Sequence, residues 1–251
     1  MRAQHQLLFS RTRVRARYAL MPLEGYPFSK LPDWPLCEAQ VLAAPALGAE
    51  FAEYMLRVPA GRGAKCRADG RIETFFYVLD GAFGLQLGTG KEQRLSAGAF
   101  VLVPPSLDYS LSAVEAGTLL MLKKAYERVS GVDEPPAVVG NQADMPGTVY
   151  MNDDGALLQM LLPDELPFDM AMNIFTFAPG HSLPVVETHV MEHGLYFLQG
   201  KGVYYLDDEW MEVETGDFIW MGPYVPQSYY ATGPVPSKYI YYKNVNRDVP
   251  L

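Results

Sequence analysis

The chain has 251 residues, 49% of them hydrophobic, enough to bury one large or two medium cores. Its 20 basic and 29 acidic residues leave a formal charge of −9 with no extended basic stripe, which argues against nucleic-acid binding. No apolar run approaches the length of a membrane span. The two cysteines, Cys37 and Cys66, make neither a disulfide framework nor a metal-type spacing, so two reduced thiols in a cytoplasmic protein are expected.

Residues 1–44 read as an N-terminal arm rich in aromatics and prolines, among them Tyr18, Trp34, Pro22 and Pro32, too polar and broken for a helix. The arm is expected to pack across a barrel or a neighbouring subunit. Its first 17 residues hold five arginines and no acid, a composition shared with transit peptides. Against that, Arg11, Arg13, Arg15 and Arg17 alternate with Thr12, Val14 and Ala16, a strand pattern with one charged face.

From 45 to 127, apolar runs of five to eight residues alternate with glycine and proline turns: 51–58, 73–81, 83–87, 99–105 and 118–124. That punctuation predicts an all-β sandwich or barrel. Residues 128–150 are rich in proline and glycine and read as a linker. The run 157–166 fits a short helix or a strand equally. Residues 168–245 then repeat the first pattern in the same order, with a period of about 119–120 residues; Gly200 answers Gly81 and Gly216 answers Gly98. Two tandem β-barrels, 45–127 and 151–251, are the predicted architecture.

Three of the four histidines, His181, His189 and His193, fall between Gly180 and Gly200. Glu187 and His189 are two apart, which on an extended strand turns both to one face. His193 follows four residues later, and Gln227 lies on the next conspicuous turn. We read Glu187, His189, His193 and Gln227 as four ligands of one metal ion. Carboxylate, amide carbonyl and imidazole suit a hard divalent ion such as Mn²⁺. The set leaves two octahedral positions open for substrate or water, and a net charge near +1 that attracts an anion. His181 has no partner at same-face spacing, and its role stays open. His189 to His193 also spells H-x-x-E-H, the inverted zincin signature, which requires a helix. The β-branched residues Val185, Val186, Thr188 and Val190, with Gly194 following, favour a strand instead, and Glu192 is read as a non-ligand.

Gly180, six residues, Glu187-Thr188-His189, three residues, His193, six residues and Gly200 resemble the first conserved motif of the cupin superfamily. Gly216, five residues, Gly222-Pro223-Tyr224, two residues and Gln227 resemble the second. The usual order His, His, Glu, His appears here as Glu, His, His, Gln. That permutation, the block from Phe168 to Gly180 and the ending from Tyr239 to Val249 resemble the manganese-dependent (S)-ureidoglycine aminohydrolases, bicupins of purine-ring catabolism. The resemblance implies an all-β bicupin: two tandem cupin barrels of the double-stranded β-helix, or jelly-roll, type behind an N-terminal arm. It implies one Mn²⁺ per chain in the C-terminal barrel, and hydrolytic deamination of (S)-ureidoglycine to (S)-ureidoglycolate and ammonia. It also implies a small anionic ureido substrate and a homo-oligomer, with no nucleic-acid or membrane partner. Tyr204, Tyr239 and Lys243 stand where that family contacts substrate, Lys243 toward the carboxylate. Glu187 and Lys243 are the candidate catalytic groups.

In the first barrel the equivalent positions are Ala68, Gly70, Thr74 and Tyr109, which make no metal site. Two alternative readings are a non-catalytic ligand-binding bicupin and another metal enzyme such as an iron dioxygenase. Metal analysis, ammonia release and oxygen consumption discriminate among them.

Overall fold

A computed structural model describes residues 10–249. Among them form twenty strands and three single-turn 3-10 segments, and no α-helix. Contacts divide the chain into two compact units. In chain order, β1 (Arg13–Val14) and β2 (Tyr18–Met21) belong to unit 1. Unit 2 follows with β3 (Ser29–Leu31), β4 (Trp34–Ala43), β5 (Phe51–Val58), β6 (Gly63–Cys66), β7 (Ile72–Leu87), β8 (Gln93–Ser96), β9 (Ala99–Val103), β10 (Tyr109–Ala125) and β11 (Val138–Asn141). Unit 1 resumes with β12 (Thr148–Tyr150), β13 (Asp153–Met160), β14 (Met170–Phe177), β15 (His193–Gln199), β16 (Lys201–Leu206), β17 (Glu209–Glu214), β18 (Phe218–Met221), β19 (Gln227–Ala231) and β20 (Ser237–Asn244).

Unit 2 is one nine-stranded antiparallel sheet curled on itself, in the order β11-β9-β7-β10-β5-β4-β3, with β6 on β10 and β8 on β7. Period-2 alternation fills its interior: Phe76 and Val78, Phe83 and Leu85, Leu119 and Met121 face one cluster. Unit 1 pairs an eight-stranded sheet, β1-β2-β18-β15-β20-β14-β13-β12, with a three-stranded one, β17-β16-β19. Its core is built the same way, from Phe175 and Phe177, Leu195 and Phe197, Tyr239 and Tyr241. Each such buried aromatic or aliphatic side chain contributes about 1.5–3 kcal/mol. Gly81 and Gly200 both take positive φ, 81° and 82°, and a Cβ on either would strike neighbouring backbone at 2.6 and 2.8 Å. The repeat read from the sequence is thus a repeat of backbone shape.

Two stretches differ from the sequence reading, and a third settles a choice it left open. The arm is not one segment. Tyr18, Ala19 and Leu20 are buried on β18 in unit 1, whereas Trp34–Ala43 pairs with β5 in unit 2; residues 1–9 lie outside the described residues. The linker also carries structure, because β11 pairs with β9 in unit 2 and β12 with β13 in unit 1. Residues 153–160 form a strand, and Asp164–Asp169 joins unit 2, where the buried Asp169 carboxylate accepts from Lys124 Nζ and from Glu127 N.

The two exchanged strands are equivalents. β2 precedes the first barrel in the chain yet pairs with β18 in unit 1, Met21 opposite Phe218. β11, one repeat later, pairs with β9 in unit 2, Asn141 opposite Ala99. Each repeat therefore hands its leading strand to the other repeat's sheet.

The alternating arginines explain how the first of these is held. They do not form one charged strand face; β1 and β2 make a short hairpin, with Arg15–Arg17 in its turn. Arg15 pairs with Glu209 at 3.2 Å and Arg17 with Asp207 at 3.7 Å, both exposed and worth little each. Arg11 differs. Its guanidinium grips both oxygens of the buried Asp217 at 2.5 and 2.8 Å, and reaches Glu214 at 3.0 Å. Burial pushes the Asp217 carboxyl up, and Arg11 opposes that shift. Arg11→Ala strands this carboxylate and is expected to lower stability by about 1.5–3 kcal/mol, read as an earlier urea midpoint. Adding Asp217→Asn should recover part of the loss. An unchanged midpoint in Arg11→Ala would mean that the strand docks through its apolar residues alone.

Candidate active site

The candidate ligands lie on the connection from β14 to β15 and on the first residues of β15 and β19. Residues 178–192 form no regular strand. Pro184 cannot donate to a ladder, and Val185 and Val186 are exposed. Two isolated bridges replace the expected strand, Ser182 to Tyr230 and Glu187 to Gln227. In the second, Glu187 N donates to Gln227 O at 2.8 Å and Gln227 N to Glu187 O at 2.9 Å. Directly opposed residues share a face, so this exchange sets the Glu187 and Gln227 side chains beside each other. No helix spans His189–His193, which removes the inverted zincin reading.

His193 opens β15 and is buried. Its Nδ1 donates to Tyr242 O at 3.0 Å, which fixes the tautomer and leaves a lone pair on Nε2. Burial first, then the nearby His189, push this imidazole down to about 3, while the Tyr242 bond opposes the shift. It is neutral at physiological pH. His189 Nε2 stands 3.2 Å from His193 Nε2 and 3.4 Å from Gln227 Nε2. Gln227 Oε1 accepts from Tyr204 Oη at 2.6 Å, and Tyr204 in turn accepts from Tyr239. Glu187 Oε1 accepts from Tyr150 Oη at 2.6 Å. Burial raises the pKa of Tyr150, Tyr204, Tyr239 and Tyr241, so all four phenols remain protonated donors at neutral pH.

All seven residues singled out in the sequence line one cavity of about 510 Å³: Glu187, His189, His193, Tyr204, Gln227, Tyr239 and Lys243. Phe175 and Tyr241 stack at 5.6 Å along its wall. Lys243 lies opposite His193 in the β15–β20 ladder and is the sole Lys or Arg in the lining among the described residues. His181 lies elsewhere, its Nδ1 2.7 Å from Asp153 Oδ1. Glu192 faces Trp220, whose Nε1 donates to it at 3.3 Å.

The donor set fits a divalent ion. Whichever tautomer His189 adopts, a buried nitrogen is left unsatisfied, because its Nδ1 has no hydrogen-bond partner. When that proton is on Nδ1, two lone pairs face each other, and a cation resolves the conflict. Two nitrogens bound to one ion at about 2.1 Å stand about 3.0–3.4 Å apart, as the two Nε2 atoms do. A half-turn of the Gln227 amide turns its oxygen to His189 and lets Tyr204 accept instead. Among the described residues, no three of His, Cys, Asp and Glu gather as a ready-made cluster. The histidine pair closes with Gln227, while the Glu187 carboxylate is held toward Tyr150.

Three hydrogen-bonding side chains of the lining have no place in the sequence reading: Tyr150, Asn173 and Tyr241. The alternation that put Tyr239 and Lys243 on one face also includes Tyr241, and Asn173 donates to Tyr241 Oη at 3.2 Å. Tyr150 stood in the stretch read as linker and gave no signal. In unit 2, Ala68, Thr74 and Tyr109 line a smaller cavity of about 400 Å³ that contains no histidine.

A Cupin domain profile matches residues 173–242. The (S)-ureidoglycine aminohydrolase of Escherichia coli (strain K12) is 37% identical, covering 99% of this chain and 96% of its own. The (S)-ureidoglycine aminohydrolase of Arabidopsis thaliana is 33% identical over 96% of this chain and 80% of its own. Among solved structures, a putative glyoxylate induced protein from Pseudomonas aeruginosa superposes with a TM-score of 0.89 at 34% identity, covering 98% of this chain and 94% of that one. Identity at this level over nearly the whole length, with the two-barrel fold, places the chain in the (S)-ureidoglycine aminohydrolase family of the cupin superfamily.

Proposed function

We propose that the protein replaces the α-amino group of (S)-ureidoglycine with a hydroxyl from water, releasing ammonia and (S)-ureidoglycolate. The observation that carries this reading is the cavity in which a histidine pair, the bridged Glu187 and Gln227, and a lone lysine meet. Curated relatives named for this activity match nearly the whole chain.

In this reading Glu187, His189, His193 and Gln227 hold one Mn²⁺ per chain. The bound ion supplies Lewis acidity toward substrate or water. Lys243 receives the substrate carboxylate as a compact point charge. Tyr239 and Tyr204 orient the Gln227 amide and offer phenol hydrogen bonds to the ureido and amino groups. The aromatic wall of Phe175 and Tyr241 excludes bulk water. Glu187 serves as ligand and base in turn: its carboxylate, released from the ion, would take a proton from the attacking water and return it to the departing nitrogen. The reaction balances as amine plus water to alcohol plus ammonia. A homo-oligomer in the cytoplasm completes the proposal.

His189→Ala and His193→Ala are each expected to weaken metal binding by at least about 100-fold and to abolish ammonia release, with the far-UV circular dichroism spectrum kept. Equal metal content in wild type and both variants would sink the site. Lys243→Met should cost on the order of 10- to 200-fold in kcat/KM, the equivalent of a charge-assisted bond of about 1.5–3 kcal/mol. Its metal content should not change, since a protonated lysine offers no lone pair. Turnover like wild type in that variant would make Lys243 a bystander and the substrate pose wrong. In the first barrel, Thr74→Ala and Tyr109→Phe should leave ammonia release within about threefold of wild type, a change of under 1 kcal/mol; a large loss in a folded variant would bring that barrel into the chemistry.

A further inference from the structure

The hairpin β12–β13 has no counterpart among the motif residues, yet it meets the loop that carries Glu187 at three points. At its tip, Met151 and Asn152 both adopt left-handed backbone, φ 47° and 62°, between the paired Tyr150 and Asp153. Two successive positive φ values match the tight two-residue hairpin turn. Asn152 tolerates that conformation readily. Met151 does so at a cost of about 1–2 kcal/mol, and such strain persists where the surroundings fix it. On one side of the turn, Tyr150 Oη donates to Glu187 Oε1 at 2.6 Å, and the Tyr150 ring packs edge-on against Phe175 at 4.8 Å. On the other side, Asp153 Oδ1 lies 2.7 Å from His181 Nδ1 and also accepts from Gly155 N at 2.9 Å. Gly155 makes room for this contact, because a Cβ there would lie 2.2 Å from the His181 ring. Ala178 N donates to Gly155 O at 2.8 Å, tying the loop to the hairpin just before His181.

We propose that the β12–β13 hairpin is a positioning clamp for Glu187: His181 and Asp153 dock the hairpin on the loop, and Tyr150 holds one carboxylate oxygen so that only the other is offered to the cavity. Tyr150 is thereby a positioning residue for the proposed reaction, and His181 finds a role outside the ligand set. Rotation of Glu187 would otherwise present either oxygen, or both, to the histidine pair. The tyrosine limits the carboxylate to single-oxygen contact with the ion, through Oε2.

This inference rests on the metal-dependent reading above, and the test separates the two. Metal-stripped wild type and Tyr150→Phe are titrated with Mn²⁺, free ion being followed by its electron paramagnetic resonance signal, and steady-state ammonia release is measured for both. Tyr150→Phe keeps the ring against Phe175, so the fold is expected to persist. The expected result is an apparent Mn²⁺ dissociation constant changed by about 10-fold or more, and a kcat lowered by about 10- to 100-fold with a smaller change in KM. In a Glu187→Gln background, Tyr150→Phe should add no further loss, because the two residues act as one unit. Wild-type metal affinity and turnover in Tyr150→Phe would overturn the clamp, and so would fully additive losses in the double variant. Absence of Mn²⁺ binding by wild type would instead overturn the metal reading, with the kinetic cycle between Tyr150 and Glu187 still deciding the clamp.

Discussion

The reciprocal backbone exchange between Glu187 and Gln227 is the contact on which the rest of the site depends. It joins an irregular loop, broken by Pro184, to the first residue of β19. Each of its two hydrogen bonds contributes only about 0.5–1.5 kcal/mol net, but their geometric effect is large. They set two candidate ligands side by side, while Gln227, opposite Leu206 in the β16–β19 ladder, accepts from Tyr204 two residues along β16. His193 needs no such device, since β15 carries it between β18 and β20. Half of the donor set is thus held by a barrel strand or its end, and half by a loop fastened to one.

Irregular segments have few ladder bonds and open easily, so this loop is secured from outside the barrel motif. The hairpin at 148–155 holds it near His181 and Glu187. The hairpin of β1 and β2 acts on His189. Arg17 Nη2 donates to Tyr224 O at 2.8 Å, Gly222 N donates to Arg17 O at 2.8 Å, and Tyr224 N donates to His189 O at 2.7 Å. Tyr224 itself has φ 61°, which turns its N–H toward the histidine. A residue near the start of the chain therefore bears on the backbone of a candidate ligand far along it, through a turn of three residues.

The legible part of this molecule was what period and spacing encode. Alternating apolar residues with glycine and proline turns predicted barrel strands; the run 51–58 is β5, end to end. Repetition of that pattern predicted two barrels, and the clustering of His189 and His193 near Glu187 predicted the cavity. What escaped was set by pairing between distant segments. Nothing in Tyr18–Met21 or Val138–Asn141 says which sheet will take it, because an apolar strand suits either edge. Tyr150 escaped for a related reason: its hydroxyl matters only through a partner 37 residues later. Glu187 and His189 were placed on a strand by their β-branched neighbours, yet Pro184 and the exposure of Val185 and Val186 leave only bridges there.

The exchange of leading strands bears on ancestry. A single-repeat forerunner built on this plan would have had no strand of its own to cover the edge now covered by β2 or β11. An uncovered edge invites pairing with another chain. Two copies could have satisfied each other reciprocally, each lending its first strand, which is a closed two-fold arrangement. Gene duplication and fusion of such a pair would convert a swapped homodimer into one polypeptide without changing which strands pair. In such a fused chain the covalent link keeps the scaffold whatever stands at the matching positions of the first copy, here Ala68, Gly70, Thr74 and Tyr109.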